Sequence, residues 1–493
     1  MGNSTTRIDR MISYFSPTRG ARRLAARRMI ESLSYEGARK GRREDGWIVG
    51  VGTSANTEIS TDRLSLRDRV RTLRRNNPYA AKAISVLVSN RIGTGILTSA
   101  DGKNRRENAR TNERWERWIE RCDYTGRTDY YGIQSLSEGT RIESGECFIR
   151  FLPAQSTEPG DVPFRLQVLE PDHLDTAKNE TRGDISVAEG IGYRNGLPVE
   201  YWMFPSHPGD HSPILTRSSG SVRIPARDVI HYYRTERPGQ RTGVTELAPV
   251  IRRLYDLEGY GDAELMRKKI AACSIGAVTT AGGLPGESLA PTSTGGDGRQ
   301  QEQFSPGMWH YFKPGEDVKF FDPSPSDGYR EFFGVELHAI AAGLRMPFEL
   351  LTGDLSEVNY TSHRGGLVQF RGMVEADQWQ MLIPQICQPV WDRFISELEM
   401  RPGARVPAKF TPPRFGLLDP AKEIPAMIQA IQGGLQSWTD TIRREGENPD
   451  MVLEEIAAER SEFEKRGINI TSIVKPVTNP MPPTESDNDG VAA

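Results

Sequence analysis

The chain has 493 residues, 37% hydrophobic and 26% charged, with a formal net charge of −3; it exceeds one ordinary domain, so two or more cores are expected. The near-neutral balance excludes a nucleic-acid binder that is basic throughout. No run approaches the ~18 apolar residues of a membrane span, which excludes an embedded protein, and secretion is not expected either.

The cysteines Cys122, Cys147, Cys273 and Cys387 lie far apart with no CxxC pair. No histidine stands at metal-ligand spacing, so buried reduced thiols, cytosolic folding, no metal and no cofactor are expected. The 48 glycines and 33 prolines favour a mixed, loop-rich fold over one continuous bundle.

Residues 1–60 carry Arg7, Arg10, Arg19, Arg22, Arg23, Arg27, Arg28, Arg39, Lys40, Arg42 and Arg43 with few carboxylates to offset them. This is a flexible basic arm: either a contact for phosphates or an acidic partner, or a solvated terminus. From Leu66 a helical pattern puts Leu66, Val70 and Leu73 on one face. Asn77-Pro78 restarts a helix, with asparagine as cap and proline at the first position. Ala80, Ala83, Ile84, Leu87 and Val88 continue the stripe up to Gly93 and Gly95, and a Trp115/Trp118 helix follows.

Strands dominate from about 140 to 235. Cys147, Ile149 and Phe151 alternate with Phe148 and Arg150, as Phe164, Leu166 and Val168 do with Arg165 and Gln167. Asn195-Gly196 is a hairpin signal, and Val229 to Tyr233 closes the set. Leu247 to about Ile275 reads as a helix spanning roughly 40 Å, weakened at Gly259 and Gly261. Residues 276–327 break the helical pattern, and Trp309 to Phe321 form a hairpin around Lys313-Pro314-Gly315-Glu316.

A helix returns from Tyr329 and ends at Met346-Pro347, because the residue before proline is pushed out of the α region. A polar loop follows, with Asp354 and Glu357 but no basic residue, and the next helix starts at Thr361 or Ser362. Leu367 to Leu398 mark a helix of unusual length that Pro384 and Pro389 bend. Residues 419–467 carry further helical pattern, and the Pro-, Asp- and Ser-rich tail from about 471 is read as disordered.

Catalytic chemistry is not expected. Walker A, HExxH, GxSxG and Cys/His metal motifs are missing, and Gly93-Thr94-Gly95 lacks the third glycine of a dinucleotide fingerprint. Asp172, His173 and Asp175 are read as a turn rather than a metal or acid–base cluster. His231 is read as a half-buried side chain, and Glu143 and Glu146 have no obvious partner. Trp202, Trp309, Trp379 and Trp391 lack interleaved basic residues and are read as packing residues. Arg252, Arg253, Arg267, Lys268 and Lys269 cluster on the helix after residue 247: a solvated or salt-bridged face, or a contact with DNA or a neighbouring subunit.

Several segments carry a family resemblance. The run from Gly343 to Ser362, through Pro347, Leu350-Leu351, Gly353-Asp354-Leu355-Ser356 and Asn359-Tyr360, closely resembles the tunnel-loop signature of lambda-type tailed-phage portal proteins. Asn76-Asn77-Pro78-Tyr79-Ala80 with Ser89 to Ile96 looks like that family's opening, and Lys313 to Phe321 resembles its clip. Roughly residues 65–465 are covered, with the segments in the right order.

The resemblance implies an α+β, portal-like fold. Its parts would be a wing (61–240), a first stem helix (241–275), a clip (276–327) and a second stem helix (328–347). A tunnel loop (348–361), a long kinked helix returning to the wing (362–418) and a helical crown (419–470) would follow, before the tail (471–493). It implies a structural conduit rather than an enzyme: a homo-oligomeric ring, typically of twelve copies, at one capsid vertex of a phage, prophage or gene transfer agent, assembled in the host cytoplasm.

The partners implied are double-stranded DNA in the channel, the terminase large subunit, the major capsid or a scaffold protein, and a head-completion or tail adaptor, with no membrane. Asp354, Leu355, Ser356, Glu357, Val358, Asn359 and Tyr360 would face or brace the tunnel. The rival from another class is a DNA-binding protein or nucleic-acid enzyme that uses the basic arm.

Overall fold

A computed structural model describes residues 14–17, 52–155, 161–210, 220–272, 276–280, 292–294, 300–302, 316–320, 328–356, 359–398 and 406–468. The chain divides into two units, Met1–Glu58 and Ile59–Ala493. In the first, the described residues include the start of helix α1 (Ala55–Asn76), where Thr53 Oγ1 donates to Glu58 Oε1 at 2.6 Å. The nine arm residues from Arg19 to Arg43, Cys273, Trp309 and the tail from 471 lie outside the described residues.

The second unit is α+β. Helix α1 runs into α2 (Pro78–Arg91) through Asn77, whose Oδ1 accepts from the N–H groups of Tyr79 and Ala80, both at 3.1 Å. Proline at the first helical position loses nothing, because that N–H has no intrahelical partner. Ala80, Ala83, Ile84 and Leu87 are buried, as are Val70 and Leu73 of α1. Strand β1 (Leu97–Ala100), α3 (Arg105–Ile119) and α4 (Tyr130–Ser144) follow.

Strand β2 (Glu146–Pro153) is the centre of a three-stranded antiparallel sheet, flanked by β3 (Phe164–Leu169) and β9 (Val229–Tyr233). Phe148 and Ile149 are both fully buried, so both faces of β2 are covered. A second antiparallel sheet orders β4 (Glu180–Arg182), β5 (Ile185–Ala188), β6 (Ile191–Arg194), β7 (Leu197–Met203) and β8 (Val222–Pro225) consecutively. Its β6–β7 turn is Asn195-Gly196 with φ of 51° and 79°, the left-handed pair that matches the twist of the strands.

Helix α5 (Ile251–Ala272) is 22 residues long, about 33 Å at ~1.5 Å per residue and shorter than its sequence pattern suggests. Beyond it β10 (Gly276–Thr280) pairs antiparallel with β13 (Glu316–Phe320), and β11 (Thr292–Thr294) with β12 (Gln300–Glu302). Of the hairpin expected from Trp309 to Phe321, residues 309–315 lie outside the described residues, and its second limb, β13, pairs with β10.

Helix α6 (Tyr329–Gly343) returns along α5, and Tyr260 stacks on Tyr329 with centroids 5.5 Å apart. After α7 (Phe348–Thr352) and the loop comes one helical stretch: α8 (Tyr360–Asp377), a π-helical segment (Gln378–Cys387) and α9 (Gln388–Leu398). Pro384 has no N–H to give an α-helical ladder, and it sits inside the wider π turns. Pro389 follows at once, where the π-helical segment passes into α9 and the Gln388 N–H still reaches back to Ile383 O. Strand β14 (Ala408–Thr411) pairs with β1, and the described chain ends with α10 (Pro420–Gln432), α11 (Trp438–Arg444) and α12 (Pro449–Lys465).

One core joins the sheet to the long helix: Trp115, Trp118, Tyr130, Phe164, Trp391 and Phe394 pack edge to face or tilted. The Trp391 indole N–H donates to Val406 O at 2.8 Å. A second core gathers Leu254 and Leu257 of α5, Leu337 and Ile340 of α6, Leu351 of α7, and Phe370 of α8 around α2. Cys122, Cys147 and Cys387 are buried and free, and burial pushes the thiols of Cys147 and Cys387 up to about 12.

Candidate functional site

The loop between α7 and α8 leaves the second core, and its described residues Asp354, Leu355 and Ser356 are exposed. Its entry differs from the sequence expectation. The residues after Pro347 do not begin a loop; Phe348–Thr352 make a helical turn, with Leu351 fully buried. Proline stops the preceding helix and at the same time fixes φ for the next one. Phe348 stacks on His338 of α6 with centroids 3.9 Å apart.

The turn ends at Gly353, with φ 78°. Glycine suits that left-handed backbone, and a Cβ there would lie 2.8 Å from Lys82 Nζ, the mobile end of a side chain that can shift aside. Thr352 Oγ1 accepts from the Asp354 N–H at 3.1 Å, and Asp354 Oδ1 accepts from the Ser356 N–H at 2.9 Å. Those Ser356 hydrogen bonds favour the carboxylate and lower its pKa, so Asp354 is charged at neutral pH.

Asp354, Leu355 and Ser356 are exposed, while Glu357 and Val358 lie outside the described residues. Asn359 caps α8, its Oδ1 accepting from the Thr361 N–H at 3.0 Å. That corrects the expectation of a Thr361 or Ser362 cap and leaves Tyr360 as the first helical residue. Lys82 is the loop's one surprise: a cation from 270 residues earlier in sequence, beside a segment that contains none of its own.

The basic cluster on α5 is largely neutralised within the chain. Arg253 Nη1 reaches Glu336 Oε2 of α6 at 2.7 Å, Arg267 Nη2 reaches Glu264 at 2.7 Å, and Arg252 and Lys268 lie 3.7 and 3.9 Å from Asp256 and Glu264. Lys269 is exposed. This favours the salt-bridged reading of that face.

Below the loop, the fold assembles two charge networks that the sequence reading did not find. In the first, Arg91 at the end of α2, Arg141 of α4 and Arg234 after β9 meet Glu138 of α4, Glu246 before α5 and Asp377 at the end of α8. Glu138 accepts from Arg91 at 2.9 Å, from Arg141 at 2.6 and 2.8 Å, and from the Tyr232 hydroxyl at 2.5 Å. Glu246 accepts from Arg91, Arg141 and Arg234 at 2.9, 3.0 and 3.0 Å. Asp377 bridges Arg91 and Arg234 at 2.8 and 2.7 Å.

Burial opposes ionisation, yet Arg141, Arg91 and Arg234 together hold the Glu246 carboxyl far below the ordinary range. Three guanidinium groups face three carboxylates, so this largely buried site is balanced in charge. It lies where α8 gives way to the π-helical segment: Gln378 donates to Arg91 O at 2.8 Å, and Gln385 accepts from the Tyr233 N–H at 3.2 Å.

The second network runs along α1. Arg63 meets Glu189 at 3.1 Å, Arg67 meets Glu146 and Asp172 at 3.5 and 3.4 Å, and Arg71 meets Glu170 and Asp172 at 2.8 and 2.6 Å. Arg74 pairs with Glu143. Glu143 and Glu146 are therefore partnered, contrary to expectation. His231, intermediate in burial as a residue with its side chain turned inward, bonds Glu146 Oε2 at 3.0 Å and stacks on Phe148.

Asp172, His173 and Asp175 part company: Arg71 takes the first, Phe204 O the second at 2.9 Å, and Ser221 Oγ the third at 2.5 Å. Glu170, Asp172 and His207 do converge, but the Arg71 guanidinium already bridges the two carboxylates there. Trp391 is a core residue, Trp202 lies under Lys178 at 4.5 Å, and Trp379 is half exposed.

Residues 40–378 match the family model described as phage portal protein, lambda family. The chain belongs to that family. A probable portal protein of Halomonas phage phiHAP-1 is 26% identical over 466 residues, 88% of each chain. Among solved structures, the neck of a native gene transfer agent particle, computed with C12 symmetry, contains a chain 17% identical, with a TM-score of 0.46, over 78% of this chain and 94% of that one. A chain in the virion of the native gene transfer agent particle is likewise 17% identical, with a TM-score of 0.47, over 83% and 98%. In this portal protein the matched region takes in α1 through α8 and ends beside Asp377, inside the buried charge network.

Proposed function

We propose that twelve copies of this portal protein close into a ring at one capsid vertex, and that double-stranded DNA passes through its centre. The ring docks the terminase large subunit during filling, contacts the major capsid or scaffold protein, and later holds the head-completion and tail adaptor proteins. The α7–α8 loop, Asp354 to Tyr360, lines the narrowest part of the tunnel. Residues 61–240 serve as wing, α5 and α6 as stem, 276–327 as clip, α8 to α9 as the long helix and 419–470 as crown. The basic arm (Arg19 to Arg43) makes salt-sensitive contacts with DNA or an acidic partner, and the assembled ring sits in the virion.

The observation that carries this reading, beside family membership, is a short exposed loop raised on a well-packed base. Leu351 anchors it, Gly353 and Asn359 fix its two ends, and Asp354 to Ser356 stand in solvent. B-DNA carries one charge per ~1.7 Å of axis, so a basic tunnel would hold it, while an acidic and polar rim touches it without adhesion. Lys82 at the base of the loop and Arg330, whose charge acts on Asp354, are the positive groups that the structure brings to it among the described residues.

The test is to shorten the loop by removing residues 354–358. Assembly should persist, because few buried groups depend on those residues, and DNA packaging or retention should fall sharply. Normal packaging and retention in the shortened protein would refute the tunnel role.

A further inference from the structure

Helix α3 segregates its charges in a way that solvation alone does not require. Arg114, Arg117 and Arg121 recur at i, i+3 and i+7, the spacing of one helical face that runs just past the helix end, while Glu113, Glu116 and Glu120 form the adjacent row. A helix that only needs solubility pairs opposite charges at i, i+4. Here Arg117–Glu113, at 3.3 Å, is the one such pair on this face among the described residues. Burial and the neighbouring Glu113 and Glu120 raise the pKa of Glu116, a strain that goes with stacking like charges in rows.

The basic row does not stand alone. Beyond α3 the chain docks on the outer edge of β3: the Leu166 N–H donates to Cys122 O at 2.7 Å, and the Tyr124 N–H donates to Leu166 O at 2.9 Å. The Trp118 indole N–H donates to Phe164 O at 3.0 Å. With Leu166 and Phe164 turned into the core, Arg165 between them is turned out, toward the arginines of α3. The four arginines and Asp161 line a recess of about 90 Å³ floored by Trp118 and Phe164. That is room for about three waters, or for one planar anionic group. Complementing the helix C-terminus accounts for Arg117; it does not account for Arg165, which comes from a strand.

The geometry points to a binding site for an acidic peptide segment of a partner protein, whose side-chain carboxylate enters the recess and is held by the guanidinium forks of Arg114, Arg121 and Arg165. Guanidinium groups match carboxylates in bidentate fashion. Both floor rings are buried, so neither offers a face for stacking a base. A phosphodiester backbone is an unbroken line of acceptors and would meet Asp161 in the wall, whereas an acidic peptide presents its carboxylates singly, on side chains that can enter the recess one at a time. The site is independent of the tunnel loop and of the basic arm.

The experiment measures binding of a fluorescein-labelled octaglutamate peptide and of a labelled 16-base-pair duplex to the full chain, by anisotropy across a salt series. The peptide should bind, and Arg121→Ala and Arg165→Ala should each weaken it about three- to tenfold. Arg121→Lys, which keeps the charge but loses the fork, should not restore affinity, and Arg252→Ala, on α5, should leave it unchanged. These arginines are exposed, so the variants should melt as the parent does. Three results would overturn the proposal: peptide binding untouched by Arg121→Ala and Arg165→Ala, which would place it on the arm; full affinity in Arg121→Lys, which would reduce the site to diffuse charge; or a larger loss of duplex than of peptide binding, which would make it a phosphate site.

Discussion

The junction around Glu246 and the three C-terminal helices are built on opposite terms. At the junction, charged groups from α2, α4, the end of β9, the start of α5 and the end of α8 are largely withdrawn from water and paired within one chain. In α10, α11 and α12 only Pro449 is buried, while Leu435, between α10 and α11, is 88% exposed and Trp438 68%, with Ile424, Ile428, Met451 and Ile456 also in solvent. The first region is complete as a single subunit. The second leaves an apolar surface that a closed ring of copies would cover, since each subunit would present one patch to a different patch on the next.

The largest effect should come from breaking the complete region. Glu138→Ala leaves Arg91 and Arg141 facing a lost carboxylate in a fully buried site, and should cost about 3–5 kcal/mol in chemical denaturation. A cost under about 1 kcal/mol would mean that water enters the junction, and the contrast between the two regions would fail.

Acid should act on the same region next. Glu138, Glu146 and Glu246 all have pKa values held below the ordinary 4.5 despite burial, by Arg141 and Arg91, by His231 and Arg67, and by the three arginines respectively. Depressed carboxylates contribute stability that is full above the unfolded value and lost as pH falls through the folded one. The thermal midpoint should therefore fall steeply below about 4.5, after a smaller loss between pH 7 and 5, where burial of His173 opposes its protonation in the folded state. Glu246→Gln should already be less stable than the parent at neutral pH, and its acid fall should be shallower.

How far these regions could be read from sequence follows from how local their causes are. The Asn77-Pro78 cap, the Asn195-Gly196 turn and the Ala80-to-Leu87 stripe depend on residues within a few positions, and the sequence pattern and the observed geometry agree there. The arginine networks depend on partners brought together by the fold: Arg91 with Asp377, Arg67 with Glu146, Arg71 with Asp172. A hydrophobic-periodicity reading passes over them, although arginines at 63, 67, 71 and 74 repeat at helical spacing and were a usable signal.

The α7–α8 loop was legible as a family motif, but its helical entry was not, because a proline that stops one helix also presets φ for the start of the next. Glu349 in the first turn and Gly353 at the end are the start and stop signals that frame Phe348–Thr352. The ten-residue π segment was read only as a bend, since proline indicates a disturbed ladder and not which ladder replaces it.

A smaller effect sharpens the comparison at the loop base. Gly353→Ala forces a side chain onto a backbone at φ 78° and against Lys82, and should cost about 1–2 kcal/mol with the junction intact. No measurable change would mean that Lys82 swings away freely. The smallest effect on the subunit should come from Trp438→Ser, within about 0.5 kcal/mol because the ring is exposed, while assembly weakens. Loss of subunit stability with assembly unchanged would reverse the assignment of that surface.

The most direct measurement is electron microscopy of the purified full chain, with mass photometry over a wide concentration range. The account expects one closed high-mass ring with a central opening, the α7–α8 loop projecting into it and α10 to α12 packed against the adjacent copy. A persistent monomer, or an open filament in place of a ring, would contradict it.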